Sequence, residues 1–127
     1  MIHLDTHVVI WIQNGEHVKL SAGVRELIET EDIAISPMVL FELGILFEIG
    51  RLRDKPELVL ADLRASTGLA VDQTGYEQVA RAALTSKFAF TRDPFDRMIA
   101  AHADAARVSL VTKDRRLREH LDFAVWP

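Results

Sequence analysis

Short, wholly apolar runs alternate with longer stretches of helical periodicity along most of the chain. Ile2 to Asp5 reads as a strand, and Thr6 to Gln13 as a helix that stops at Asn14-Gly15, a pair suited to positive φ. Ser21 N-caps a helix reaching about Glu31, and IAIS is a four-residue strand closed by Pro37. Met38 to Ile49 is apolar at almost every position except Glu42, Gly44 and Glu48, which predicts a buried helix ended by Gly50. Pro56 to about Ala65 is a further helix, Leu69 to Val71 a strand, Gly75 to about Leu84 an alanine-rich helix, and Lys87 to Arg92 a loop. Asp93-Pro94 supplies an N-cap and a first-turn proline for a helix to about Ala106. Ser109 to Thr112 is a buried strand, Asp114 caps a short helix to His120, and Phe123 to Val125 is an edge strand. Strands alternating with helices predict an α/β fold with a parallel sheet covered on both faces.

A length of 127 residues, about half of them apolar, suits one compact domain spanning 1–127. The opening MIHLDTHVVIWI lacks a basic n-region and a cleavage site, and no run approaches the ~18 apolar residues of a membrane span. The expectation is a cytoplasmic protein with no membrane partner. Without cysteine there is no disulfide, thiolate nucleophile or zinc–thiolate site, so oxygen and imidazole are the available metal ligands. A net charge of −4 argues against coating nucleic acid by bulk electrostatics, yet it does not exclude a nuclease whose acids are neutralised by bound cations.

Four acids stand out. Asp5 and Asp114 each follow a predicted strand and precede a helix, beyond the carboxyl ends of the strands, where open parallel sheets bind ligands. Helix capping explains each of them taken alone. Glu42 has Met38, Val39, Ile45 and Leu46 as its helical neighbours, so its carboxylate needs a metal, or an arginine in a buried ion pair. Asp96 sits three residues after Asp93 in the first turn of its helix, where a reciprocal cap and an inward-facing ligand supported by Asp93 are compatible. Carboxylates gathered at one place repel and lose water, so such a cluster usually holds a hard divalent cation. Magnesium or manganese fits the oxygen donors.

Thr6 and Thr112 are short hydroxyls beside these acids that can bond a carboxylate or a water, although capping and strand propensity also account for them. Arg92, Arg97, Lys113 and Arg115 flank the acids as candidate contacts to a substrate backbone, with surface solvation as the alternative. The five histidines show no metal-binding spacing on one helix; His102 and His120 read as half-buried or surface residues, and His7 as structural or touching substrate. Trp11 and Trp126 read as packing residues, with base stacking as the alternative.

The segments LDTHVVIW, SPMVLFELGIL, DPFDRMIAAHA and LVTKD together resemble PIN-domain ribonucleases, and among them the VapC-like toxins of type II toxin–antitoxin systems. The resemblance implies a three-layer α/β/α fold around a mostly parallel five-stranded sheet. It also implies that Asp5, Glu42, Asp96 and Asp114 form a metal-binding quartet, that Thr112 is a frequent Ser/Thr of the last motif, and that Asp93 matches an acid found in one group of members. It further implies an endoribonuclease using one or two Mg²⁺ or Mn²⁺ ions, restrained by a cognate antitoxin and commonly a homodimer.

For such an enzyme the protein contributes geometry: Asp5, Asp96 and Asp114 as nearer ligands and Glu42 directly or through water. The contrasting reading is a non-catalytic or regulatory α/β module that binds a cation, with Asp5 as phosphoacceptor. That module would leave Glu42 and Asp96 without a purpose, and its expected lysine can be assigned no better than Lys113.

Overall fold

A computed structural model describes all 127 residues. Five parallel strands, β1 (Ile2–Leu4), β2 (Ile33–Ile35), β3 (Ala70–Val71), β4 (Ser109–Val111) and β5 (Ala124–Val125), lie in the order β3-β2-β1-β4-β5. Seven α-helices connect and cover them: α1 (Thr6–Gln13), α2 (Ala22–Thr30), α3 (Pro37–Glu48), α4 (Pro56–Thr67), α5 (Tyr76–Ala83), α6 (Pro94–Ala106) and α7 (Arg115–His120). The result is a three-layer α/β/α sandwich with a wholly parallel sheet. Single 3₁₀ turns at His17–Lys19 and Ser86–Phe88 complete the path; the second occupies part of the expected 87–92 loop.

The first strand is the central one. Ile2, His3 and Leu4 align with Ser109, Leu110 and Val111 on one side, and Ile2 and His3 with Ile33 and Ala34 on the other. Chain order runs outward through β2 and β3, then jumps back across β1 to β4, so the switch in direction lies between β1 and β4. Their carboxyl ends therefore flank the crevice in which such sheets bind ligands.

Five of the seven helices start on a side-chain cap, whereas α4 opens with Pro56 behind Lys55 and α5 behind Gly75 without one. The Ser21 hydroxyl accepts from the Val24 N–H and that of Ser36 from the Met38 N–H, while Asp5, Asp93 and Asp114 cap α1, α6 and α7. Gly68 ends α4 at φ +73°, a conformation open to glycine at no steric cost. A core of 27 buried residues fills the layers.

Two expectations need correction. The helix α3 is not buried: only Val39 and Leu43 are fully enclosed, while Phe41 is 57% exposed. Nearly all-round hydrophobicity here leaves apolar surface facing outward rather than marking a core helix. His102, expected to be half-buried or at the surface, is 1% exposed. It belongs to a buried network that also holds His3 and Asp72.

In that network His3 Nε2 lies 2.7 Å from Asp72 Oδ2, and His102 Nε2 lies 3.2 Å from Asp72 Oδ1. His102 Nδ1 meets the Ser36 hydroxyl at 3.0 Å, and that oxygen accepts from Met38, so its proton is available to the ring. The Thr74 backbone N–H and hydroxyl also donate to Asp72 Oδ1. Burial pushes the Asp72 carboxyl up, but donors from Thr74, His3 and His102 outweigh it and hold the group well below the ordinary carboxylate range. These are the only three side chains of the His, Asp and Glu set whose ligand atoms all approach within 4.8 Å. Because the carboxylate already has its donors, we read the trio as a hydrogen-bonded clamp joining β1, the end of β3 and α6.

A depressed carboxyl pKa contributes stability above the unfolded value and loses it as pH falls toward the folded one. Burial also keeps the His3 imidazole below its ordinary 6.5, despite the opposing pull of Asp72, so acid favours the unfolded chain there too. Asp72→Asn is expected to cost about 1.5–3 kcal/mol at neutral pH and to flatten the loss of stability below about pH 4. Urea melts at pH 7 and pH 3.5 check both; an unchanged midpoint at pH 7 would remove the clamp from the account.

Candidate active site

Strand pairing continues one step beyond β1 and β4. The Asp5 N–H donates to the Val111 carbonyl at 3.0 Å, which sets Asp5 beside Thr112. The Thr112 hydroxyl then donates to Asp5 Oδ2 at 2.7 Å and accepts from the Asp114 N–H at 3.0 Å. Thr112 is fully buried and Asp5 only 4% exposed, so a single hydroxyl fixes the first acid and the turn carrying the last. The other Asp5 oxygen accepts from the Thr6 N–H at 2.8 Å, and one Asp114 oxygen from the Leu117 N–H at 3.0 Å. Both aspartates cap helices and face the crevice as well.

Helices α3 and α6 bring the remaining two. The Glu42 carboxylate accepts from the Thr6 hydroxyl, tying α3 to α1, and Asp96 stands in the first turn of α6 while Asp93 receives its N–H at 3.0 Å. Asp5, Glu42, Asp96 and Asp114 line one cavity of about 160 Å³, together with Thr6, His7, Ile10 and Leu46. Asp93 is not in that wall, but its charge reaches both Glu42 and Asp96.

No lysine or arginine lines the cavity, and the arginine that a buried ion pair with Glu42 would require is absent. Burial raises the Glu42 carboxyl against the opposing Thr6 hydrogen bond, with Asp5 and Asp93 adding to the rise. Burial, then repulsion from Asp93, Asp5, Asp114 and Glu42, pushes Asp96 up to about 7. His7 offers no compensating charge, because burial lowers it despite the pull of Asp5 and Asp114. Its Nε2 accepts from the Lys113 N–H at 2.9 Å, leaving Nδ1, 3.7 Å from Asp5 Oδ2, as the protonated nitrogen of the neutral ring.

Uncompensated oxygen donors around a small cavity suit a hard divalent cation. No three of these four acids bring their oxygens within 4.8 Å of one another. That spacing is the one repelling carboxylates adopt, and it suits an ion that keeps part of its water shell.

The basic candidates separate. Arg97 donates to the Ala83 carbonyl at 2.7 Å and to Thr91 at 3.3 Å, so it braces α5 against α6. Arg92 lines a separate apolar cavity with Leu84 and Met98, and Arg115 pairs with Glu119 at 2.8 Å on the surface. Lys113 lies over the indoles of Trp11 and Trp126, so the lysine a phosphoacceptor site would use points elsewhere. His7 is the wall residue whose placement the sequence left open, although its position two residues after Asp5 on the first turn of α1 is a usable signal.

Residues 2–121 match the PIN domain family. Ribonuclease VapC22 of Mycobacterium tuberculosis is 36% identical over 121 residues, covering 92% of this chain and 89% of that protein. Among solved structures, VapBC2 from Rickettsia felis bound to a DNA fragment from its promoter superposes with a TM-score of 0.67 at 21% identity, over 98% of this chain and 96% of that one. At that identity the likeness concerns the fold.

A carboxyl pKa above its ordinary 3.8 means that the folded chain binds the extra proton, so the metal-free protein loses stability as pH rises from about 4 through about 7. Asp96→Asn should therefore be more stable than wild type by about 1–3 kcal/mol at pH 8 in EDTA. The two should converge near pH 4. Thermal melts across that range test the repulsion directly, and equal melting points at pH 8 would contradict it.

Proposed function

The chain belongs to the PIN-domain family, and from that premise we propose that it is a metal-dependent endoribonuclease serving as the toxin of a toxin–antitoxin pair. The observation that carries this reading is the single cavity of four acids with no cationic side chain in its wall. Ribonuclease VapC22 supports the choice of RNA.

Asp5, Asp96 and Asp114 would hold Mg²⁺ or Mn²⁺, with Glu42 reaching it directly or through water. A bound ion of this kind stabilises charge on the phosphoryl oxygens and lowers the pKa of an attacking water. The side chains contribute orientation. Thr112 holds Asp5, Thr6 holds Glu42, and the Asp93 side chain fixes the first turn that presents Asp96. Asp96 must shed its proton before it can serve as a ligand, so ion binding should release a proton below about pH 7. No protein nucleophile is needed.

The exposed apolar side chains Phe41, Ile49 and Leu58 on and beside α3 and α4 favour a protein partner. We assign this face to the antitoxin and to a second copy of the chain, consistent with the toxin–antitoxin complex among the structural relatives. Light scattering on the free protein should then read twice the chain mass of 14.3 kDa.

Cleavage of structured RNA should require Mg²⁺ or Mn²⁺, vanish in EDTA, and fall by at least ~100-fold in Asp5→Asn and Asp96→Asn. At subsaturating Mg²⁺ activity should also decline as pH drops through about 7, where a proton on Asp96 competes with the ion, and excess Mg²⁺ should move that midpoint to lower pH. Gel mapping of cut ends, with circular dichroism to confirm folding, tests this. Undiminished metal-dependent cleavage by folded Asp5→Asn would overturn the assignment of the site.

A further inference from the structure

One cluster at the surface beside the acid cavity has no role in the chemistry above. Trp11 lies one helical turn after His7 on α1, with ring centroids 5.0 Å apart. Trp126, just beyond β5, meets Trp11 edge to face at 6.1 Å. The Lys113 ammonium lies 5.9 Å from the Trp11 ring centre and 5.8 Å from that of Trp126, and Lys19 lies 5.6 Å from Trp11. Both indoles are half-buried and both lysines exposed.

Packing of the chain's end on α1 accounts for two indoles in contact. It does not account for the cations gathered over them. Lys113 immediately precedes Asp114, yet it makes no ion pair with any carboxylate; Lys19 pairs with Glu16 across the surface at 3.0 Å. His7 joins the cluster to the cavity, since its ring contacts Trp11 on one side and faces Asp5 on the other.

We propose that Trp11 and Trp126, with Lys113 and Lys19, form a subsite that stacks an unpaired RNA base and neutralises its phosphate next to the acid cavity. This rests on the ribonuclease reading above. Every base has a π-face, so an indole platform accepts one without reading its sequence. An incoming base displaces the flexible lysine stems, and the freed ammonium groups meet the phosphate carried by the same nucleotide. A chain of net charge −4 with four acids in its cavity needs such local cations to bring an anionic backbone close. Bases in a duplex are already stacked on each other, so the subsite selects loops and ends.

Trp11 and Trp126 are the only tryptophans in the chain, so intrinsic emission reports on this surface without a label. The test titrates Asp96→Asn in EDTA with a fluorescein-labelled RNA stem-loop, following tryptophan emission and label anisotropy together, and repeats it with the fully paired stem. The expected result is quenching that tracks anisotropy for the stem-loop and much weaker quenching for the duplex. Adding Trp11→Ala should raise Kd about 5- to 100-fold, Trp11→Phe should restore much of the loss, and Lys113→Gln should reduce the salt slope by about 0.7. Circular dichroism checks each fold. If Trp11→Ala unfolds, the quenching and the Lys113→Gln salt slope still decide.

Saturating anisotropy with unchanged emission, equal quenching by duplex, no RNA binding at all, or quenching by the antitoxin alone would each overturn the subsite. Wild-type cleavage in Mn²⁺ separates the two readings. Cleavage with a silent tryptophan signal sinks the subsite alone, whereas stem-loop quenching without cleavage in Mg²⁺ or Mn²⁺ sinks the nuclease alone.

Discussion

The parallel pairing of β1 with β4 is the constraint on which the site depends. Leu4 aligned with Val111 puts Asp5 beside Thr112, and Asp114 follows two residues later. A slip of one residue would turn every side chain of β1 to the opposite face, sending His3 into the place of Leu4 and taking Asp5 from the hydroxyl that orients it. Because all strands run the same way, the helices that follow β1, β2 and β4 begin at the same edge of the sheet. Their starts place Asp5 and Asp114 near free N–H groups and the positive end of a helix dipole, which offsets part of their mutual repulsion.

Two carboxylates of this chain show how differently one fold treats the same group. Asp72 is ringed by donors from Thr74, His3 and His102 and is held strongly acidic; it strengthens the structure. Asp96 has acids for neighbours and is pushed up to about 7. It opposes folding until something neutralises it. The buried core and the Asp72 clamp supply the stability that permits such a strained cavity at the sheet edge, as is common where function requires an arrangement that packing alone would not choose.

Local chemistry made most of the fold legible. Asp93-Pro94, Ser21 and Pro37 mark helix starts to within a residue, because caps and first-turn prolines act on the nearest few N–H groups. Short apolar runs marked the strands, which the structure trims by a residue at Asp5, Ser36 and Thr112. The convergence of Asp5, Glu42, Asp96 and Asp114 on one cavity was also readable, since parallel βα units deliver their carboxyl ends to a common edge. What escaped depends on distant partners. His102 has Met98, Ile99, Ala105 and Ala106 as helical neighbours, the apolar setting also read for Glu42, but its partners Asp72 and Ser36 lie 30 and 66 residues away, so nothing near it in the chain names the groups that satisfy it. The outward turn of Phe41 and the use of Arg97 as a brace between α5 and α6 were hidden for the same reason: periodicity names a face but not what covers it.

The separation of 107 residues between Asp5 and Thr112 has a consequence for the time of synthesis. A chain made at ~5–20 residues per second leaves Asp5 waiting roughly 5–20 s for its strand partner. Until β4 arrives, the central strand lacks one neighbour and the cavity lacks one wall, while β2, α3 and Glu42 are already available. The four acids thus become a single site only as a late event of translation. The parts of the site leave the ribosome separately and join only when the last third of the chain has folded back onto the first strand.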